Sequence, residues 1–375
     1  MSRVPADAPL TSPSESDSGL PRRGFLAAGA GAFLCTIGGE RVLLSKAGDA
    51  AKADAAARRV APPRARAAAA PGAGPTEQLT FVTPQPQPGG TAREYGIEAR
   101  EVLWDIVPTR PRRDQWHGRA VAGPTVYRAF VYQQMTDGFA SPLGAPAIPG
   151  PTLQAEVGDT LVVHFRNGLS QEAGQALTMH PHGVKYNPDY DGVFLGDFTR
   201  AGGFIRPGRE FTYTWEATPD AVGVWPYHDH GPNHTLNTFR GLFGAIIVRE
   251  RGEKLPDVEA VIFFHALAPP VTDLERQFQC NNGRAFAGNT PSLQAKVGQD
   301  VAIHVMGMDS NFHDFHIHGH RWKGSDGSFV DTPAVGPNET ITARFIEDNP
   351  GRWLYHCHVF THQDGGMAGW YLVEP

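Results

Sequence analysis

Histidine spacing carries the chemistry of this chain. Four His-x-His pairs occur: His180-Pro-His182, His228-Asp-His230, His316-Ile-His318 and His356-Cys-His358. Residues i and i+2 of a strand project from one face, so each pair aims two imidazoles into one volume. One such pair is weak, because a half-buried strand can carry two histidines. Four pairs at matching points of a duplicated stretch are not a product of chance. The fourth pair specifies the metal. Cys357 lies between its histidines, with His362 at +5 and Met367 at +10. A thiolate, two imidazoles and a long axial thioether are the ligands of type 1 copper. One segment supplies three of them, and His313 is the candidate for the second imidazole. Zinc accepts two histidines and a cysteine, but it leaves the methionine and the interleaved histidines unused. Iron–sulfur clusters need more thiolates than three cysteines supply. Side chains alternate along a strand, so His356 and His358 turn away from the face that Cys357 occupies. One tripeptide thus touches two metal centres and forms a covalent electron path between them.

The elements that position these residues come in two copies. Ile148–Asp159, with Leu-Gln-Ala-Glu-Val-Gly-Asp at its end, leads into an alternating stretch at 160–167. Asn289–Asp300, with Leu-Gln-Ala-Lys-Val-Gly-Gln-Asp, leads into another at 301–306. Each reads as strand, glycine turn, strand. Each is followed by His-x-His-Gly, then by a tyrosine (Tyr227, Tyr355) opening the second pair, then by an apolar strand at 241–248 or 369–373. With 43 glycines, 32 prolines and no sustained helical period, the chain reads as all-β, two sandwiches of Greek-key type. A length of 375 residues suits two folded units. The boundary falls in the charged stretch 249–256, giving domains at 76–250 and 251–375.

The copies differ where it matters. Asp229 fills the place of Cys357, His234 follows at +5, Phe239 stands at +10, and Leu177 aligns with His313. The first copy therefore has no type 1 site but keeps four cluster histidines. His234 reads as a relic or a supporting group rather than a ligand. His164 and His304 occupy matching sheet positions, and His117, His265 and His320 have no partner at ligand spacing.

Residues 1–75 read as a twin-arginine signal peptide and flexible linker. Arg22-Arg23 precedes an apolar run to Ile37 that is too short to span a bilayer, and an Ala/Arg/Pro-rich stretch follows at 50–75. Export to the periplasm or the medium is the expectation. Those 75 residues hold 10 Lys/Arg against 6 Asp/Glu, leaving 23 against 33 in the remainder. An acidic mature chain argues against nucleic acid or an anionic membrane as partner. Cys280 is expected to be a free structural thiol, with no intrachain disulfide.

The four motifs, with the Gly-Pro-Thr and Glu-Val-Gly-Asp stretches before them, resemble multicopper oxidases. The resemblance covers about residues 80–375 and is closest to the bacterial two-domain small laccases. It implies cupredoxin-like domains and four coppers per chain: one type 1, one type 2 and a type 3 pair. His313, Cys357 and His362 would hold type 1 copper, with Met367 axial, and His180 and His316 type 2. His182, His228 and His358 would hold one type 3 copper, and His230, His318 and His356 the other. Asp191 resembles the family's acidic residue that assists proton delivery near type 2 copper. Tyr186, four residues past His182, is either a proton or electron donor to the cluster or a packing tyrosine.

The resemblance implies dioxygen and small reducing donors, phenols or aromatic amines, as partners. Metal ions or another inorganic donor are the alternative, and a non-catalytic copper electron carrier is a third reading. It also implies a homotrimer in which neighbouring subunits share each trinuclear cluster. Copper nitrite reductase is disfavoured, because that family's pattern puts the type 1 cysteine in the first domain.

Overall fold

Alternating apolar residues form strands, and they do so twice in the same order. In this computed structural model residues 84–171 and 174–375 are described in full. The backbone of an antiparallel pair, Phe33–Ile37 with Glu40–Leu44, is described as well. The twin-arginine pair and the linker at 50–75 lie outside the described residues. One sheet of the first sandwich contains β1 (Ala92–Asp105), β2 (Val126–Met135), β4 (Thr160–Asn167) and β6 (Glu210–Glu216), in the order β6-β4-β1-β2. Facing it are β3 (Leu153–Glu156), β5 (His180–Pro181), β7 (Gly223–His228) and β8 (Phe243–Arg249), in the order β3-β8-β7-β5.

The second sandwich repeats the plan. β9 (Val258–Leu267), β10 (Phe278–Asn281), β12 (Asp300–Gly307) and β15 (Thr340–Ile346) run in the order β10-β9-β12-β15. Opposite lie β11 (Leu293–Lys296), β13 (His313–Ile317), β14 (Ala334–Val335), β16 (Gly351–Cys357) and β17 (Ala368–Glu374), in the order β11-β17-β16-β13-β14. The parallel pairs recur as well: β1 with β4 and β3 with β8, then β9 with β12 and β11 with β17. Parallel neighbours require crossovers between the sheets, which a simple meander lacks.

Each strand buries the residues its pattern selects. Leu161, Val163 and Phe165 of β4 enter the first core with Tyr213 and Trp215. Val301, Ile303 and Val305 of β12 enter the second with Phe264, Phe315 and Trp322. His164, half-exposed, and His304, buried beside Glu259, stand at the same register and bond to Thr212 (3.0 Å) and Thr342 (2.9 Å), which accounts for both as sheet positions. A third core joins the sandwiches: Trp104, Ile106, Tyr127 and Phe243 meet Phe263, Phe278, Phe286 and Met306. Across this seam the Trp104 indole donates to the Gly283 carbonyl (2.6 Å), and the Arg284 guanidinium lies 3.8 Å over the Trp104 ring. Cys280 is buried in the seam, and Cys280 and Cys357 are both free thiols. Two short helices, α1 (His234–Arg240) and α2 (Phe360–Asp364), follow the second His-x-His pair of each copy. Among the described residues no helix is long and apolar enough to cross a membrane.

Candidate metal centres

Cys357 closes β16, and His313 opens β13 beside it. The register pairs Phe315 with Cys357, which leaves His313 two residues further along the neighbouring strand. The turn of α2 then carries the chain back. The Cys357 amide donates to the Met367 carbonyl, and the Met367 amide to the His362 carbonyl, both at 3.1 Å. Cys357 Sγ consequently lies 3.7 Å from His313 Nδ1 and 3.6 Å from His362 Nδ1, and these three ligand atoms converge within 4.8 Å. Cys357, His313 and Met367 are fully buried, whereas His362 is partly exposed and offers an edge to solvent. His313 Nε2 donates to the buried Asp309 carboxylate (3.1 Å), which fixes the tautomer that leaves Nδ1 free for a metal. Burial pushes the Cys357 thiol up to about 11. Cys357 would hold a metal ion here as the thiolate, giving up that proton on binding.

Two histidine sets lie elsewhere, built alike. In the first, β5 pairs with β7 so that His180 stands opposite His228. His180, His182 and His228 bring their ligand atoms within 4.8 Å, and the Nε2 atoms of His182 and His228 are 3.0 Å apart. In the second, His316 stands opposite His356, and the Nε2 atoms of His318 and His356 are 3.2 Å apart. His230 and His358 complete the sets, with rings 5.2 Å from His180 and 5.5 Å from His316. Nδ1 is tethered to a backbone carbonyl in each copy: His180 to Asp191 (2.7 Å), His228 to Asp229 (2.9 Å), His316 to Asp331 (2.8 Å) and His356 to Cys357 (2.9 Å). Such tethers hold the proton on Nδ1 and point the Nε2 lone pair at the shared volume. Burial, reinforced by neighbouring imidazoles, lowers His182, His230 and His356 to about 4 and His228 to about 3. These rings are neutral at neutral pH and so able to bind a metal.

Asp191 and Tyr186 both sit at His180. The Asp191 carboxylate is 3.3 Å from His180 Nδ1, the Tyr186 phenol bonds to Asp191, and the Tyr186 ring lies 6.1 Å from that of His180. The hydrogen bond from His180 holds the Asp191 carboxyl below its usual range, and burial pushes Tyr186 up to about 12. Where the first copy lacks copper ligands it is filled otherwise. Leu177 is in the core, and Asp229 accepts from the Thr178 amide (2.8 Å) and the Asn237 side chain (3.0 Å). Phe239 lies on α1, and the His234 ring stacks on His230 at 4.5 Å, a support rather than a fifth donor.

Three residues near the sites escaped the sequence reading. Asp331 is the second-copy counterpart of Asp191, but it stands 15 residues past its histidine rather than 11, so no shared motif marks it. Asp309 stands four residues before His313, and only burial gives its carboxylate a role. Trp116, on the segment between β1 and β2, packs its ring 5.7 Å from His356 in the other domain. A groove of about 330 Å³ opens beside the second set, lined by His316, His320, Arg321, Phe329 and Asp331. Among the described residues no ring contact joins a histidine of one set to a histidine of the other.

Comparison with known proteins agrees with this geometry. Sequence patterns described as multicopper oxidase match residues 145–253 and 266–375. A probable nitrite reductase-hydroxylamine oxidoreductase fusion protein of Kuenenia stuttgartiensis is 32% identical over 251 residues, covering 61% of this chain and 28% of its own. Human ferroxidase HEPHL1 is 28% identical over 364 residues, covering 79% of this chain and 30% of its own. The chain thus spans under a third of the length of these relatives. Among solved structures, a multicopper oxidase superposes with a TM-score of 0.60 at 24% identity, over 78% of this chain and 93% of that one. A copper nitrite reductase from Nitrosomonas europaea gives 0.57 at 19%, over 75% and 94%. Both likenesses are likenesses of fold.

Proposed function

The chain belongs to the multicopper oxidase family, and we propose that within it the protein is a laccase-type oxidase. It takes single electrons from phenols or aromatic amines and reduces dioxygen to water. The observation that carries this reading is the double duty of one tripeptide. Cys357 faces His313 and His362, while His356 and His358 on either side join His316 and His318. A carrier needs only the first of these sites.

The donor set fits copper: a buried thiol between two imidazole nitrogens beside a buried methionine, and eight histidines, seven of them with lowered or tethered rings. His313, Cys357, His362 and Met367 would hold type 1 copper, and His180 and His316 type 2. His182, His228 and His358, with His230, His318 and His356, would hold the type 3 pair. When bound, copper supplies one-electron acceptance at Cys357 and a four-electron reduction of dioxygen at the histidine cluster. The protein supplies the rest. The Cys357–His356 peptide joins the sites, and Asp191, bonded to His180 and Tyr186, holds a carboxylate where the reduction consumes protons. Phe312 and Phe360 are exposed beside the His313 and His362 segments, and they favour an aromatic donor over a metal ion. Asp229, in the place a first-domain type 1 cysteine would take, argues against nitrite reduction.

Each histidine set is half of an eight-ligand cluster, and what faces His356 across the domain seam is Trp116. This supports a shared cluster between neighbouring chains; the resemblance to two-domain small laccases supports a homotrimer, and Arg22-Arg23 before the apolar run supports export through the twin-arginine route.

The test is a copper count per chain, with oxygen uptake measured on a phenol and on ferrous iron. Four coppers, a blue thiolate band and faster uptake with the phenol are expected. Cys357→Ser should lose the blue band and turnover yet keep cluster copper. One copper per chain, or no oxygen uptake with either donor, would sink the oxidase reading.

A further inference from the structure

The second sandwich buries a polar chain at a place its twin fills with hydrocarbon. His320 follows the His316-Ile-His318-Gly motif, and its Nδ1–H donates to the His318 carbonyl at 2.8 Å. Its Nε2 shares a proton with Glu347 Oε1 across 3.0 Å. The Asn349 amide donates to the same oxygen (2.9 Å), and the Tyr371 hydroxyl makes a close hydrogen bond to Glu347 Oε2. The side chain of Glu347 is 0% exposed, and His320 and Tyr371 are buried with it.

The duplicated fold supplies an internal control. His320 corresponds to Val184, each standing two residues after the second histidine of its motif. Glu347 corresponds to Ala217, since Gly298 and Gly158, at equivalent turns, donate to their carbonyls. Tyr371 corresponds to Ile246, each pairing in parallel with the leucine that opens β11 or β3. Val184, Ala217 and Ile246 are all buried in the first core. The architecture therefore closes at this place without any polar group. A buried carboxylate–imidazole pair is seldom worth more to stability than well-packed hydrocarbon, so folding does not account for the difference. What valine cannot do is donate to the carbonyl of a metal-binding histidine.

We propose that His320, held by Glu347 and Tyr371, is a positioning residue for His318. It fixes the main chain at His318 and so sets His318 Nε2 against His356 Nε2, 3.2 Å away. The proposal rests on the reading of His318 as a cluster ligand. The asymmetry falls in the sandwich that carries Cys357. Outer partners of metal ligands commonly change metal affinity by about 10–100-fold.

The test exchanges the network for the twin's residues: His320→Val, Glu347→Ala and Tyr371→Ile together, in the full chain with copper. The expected variant folds, keeps the blue band of the Cys357 site, and loses cluster copper to a competing chelator about tenfold more readily. The near-ultraviolet absorption of the coupled copper pair should change with it. His320→Asn, whose amide stands where Nδ1 stood, should recover most of the affinity that His320→Val alone loses. A triple variant with wild-type cluster affinity and spectrum overturns the proposal, as does one that cannot fold, because the twin's trio would then not suffice. An asparagine variant no better than the valine variant also overturns it. Wild-type protein binding copper at Cys357 alone would overturn the cluster reading itself, a result distinct from an intact cluster that ignores the exchange.

Discussion

Asp309 holds a negative charge against His313, a proposed copper ligand, in a buried place. Its carboxylate accepts from His313 Nε2 and draws that proton toward itself, which makes the imidazole a stronger electron donor at Nδ1. A stronger donor favours the oxidised metal. Asp309→Asn keeps an acceptor oxygen of the same shape and removes the charge. The blue band should persist, while the equilibrium with a redox partner moves about tenfold toward the reduced form, about 59 mV for one electron. A redox titration of the band checks this, and an unchanged midpoint would separate Asp309 from the electronics of the site. At this scale the sequence was legible wherever ligands share a short motif: His180 to His182, or His356 through Met367. It was silent on Asp309, Asp331 and Trp116, whose roles depend on burial and on contacts over a distance that no spacing encodes.

The β7–α1 turn shows what an element does where an aspartate stands in the place of Cys357. Asp229 ties that turn down by accepting from Thr178 on one side and Asn237 of α1 on the other. Burial raises its carboxyl from 3.8 to about 6 despite those donors. A raised folded value means the native state binds the proton more tightly than the unfolded chain. The stabilisation is complete below about pH 4 and is lost as pH rises through 6. Asp229→Asn has no charge to bury, and Asn237 Oδ1, itself buried without a partner, can accept from the new amide once the Asn237 side chain turns over. The variant should therefore gain on the wild type between pH 4 and 6, by roughly 2–3 kcal/mol at pH 7.5. Denaturant unfolding of copper-free protein at pH 4.5 and 7.5 measures the gain, and an equal difference at both values would refute it. The strands themselves were readable, because period-two alternation at 160–167 and 301–306 selects the inward residues. Their neighbours were not readable: alternation says which face a strand buries but not which strand lies beside it. The parallel pairs and the Trp104–Phe263 seam came only from the three-dimensional arrangement.

At the scale of the whole molecule the two histidine sets pose a problem of assembly. The shared core fixes one sandwich against the other, and in that arrangement Trp116, not a first-set histidine, lies on His356. If the cluster forms between chains, each interface joins the first set of one chain to the second set of its neighbour. Two inactive variants can then repair each other. One carries His182→Ala and His228→Ala, and the other His318→Ala and His356→Ala. Either alone has a broken set at every interface. Assembled together in equal amounts, a closed trimer brings an intact first set against an intact second set at roughly one interface in four. The electron path at such an interface is whole, because the chain giving the second set also keeps its Cys357–His356 peptide. The co-assembled protein should show about a quarter of wild-type oxygen uptake, while the two variants purified apart and mixed without subunit exchange stay inactive. A cluster formed within one chain has no such repair, since every chain in the mixture carries a broken half. Co-assembled protein as inactive as its components would therefore place the oxygen site inside the single chain and remove the trimer from the mechanism.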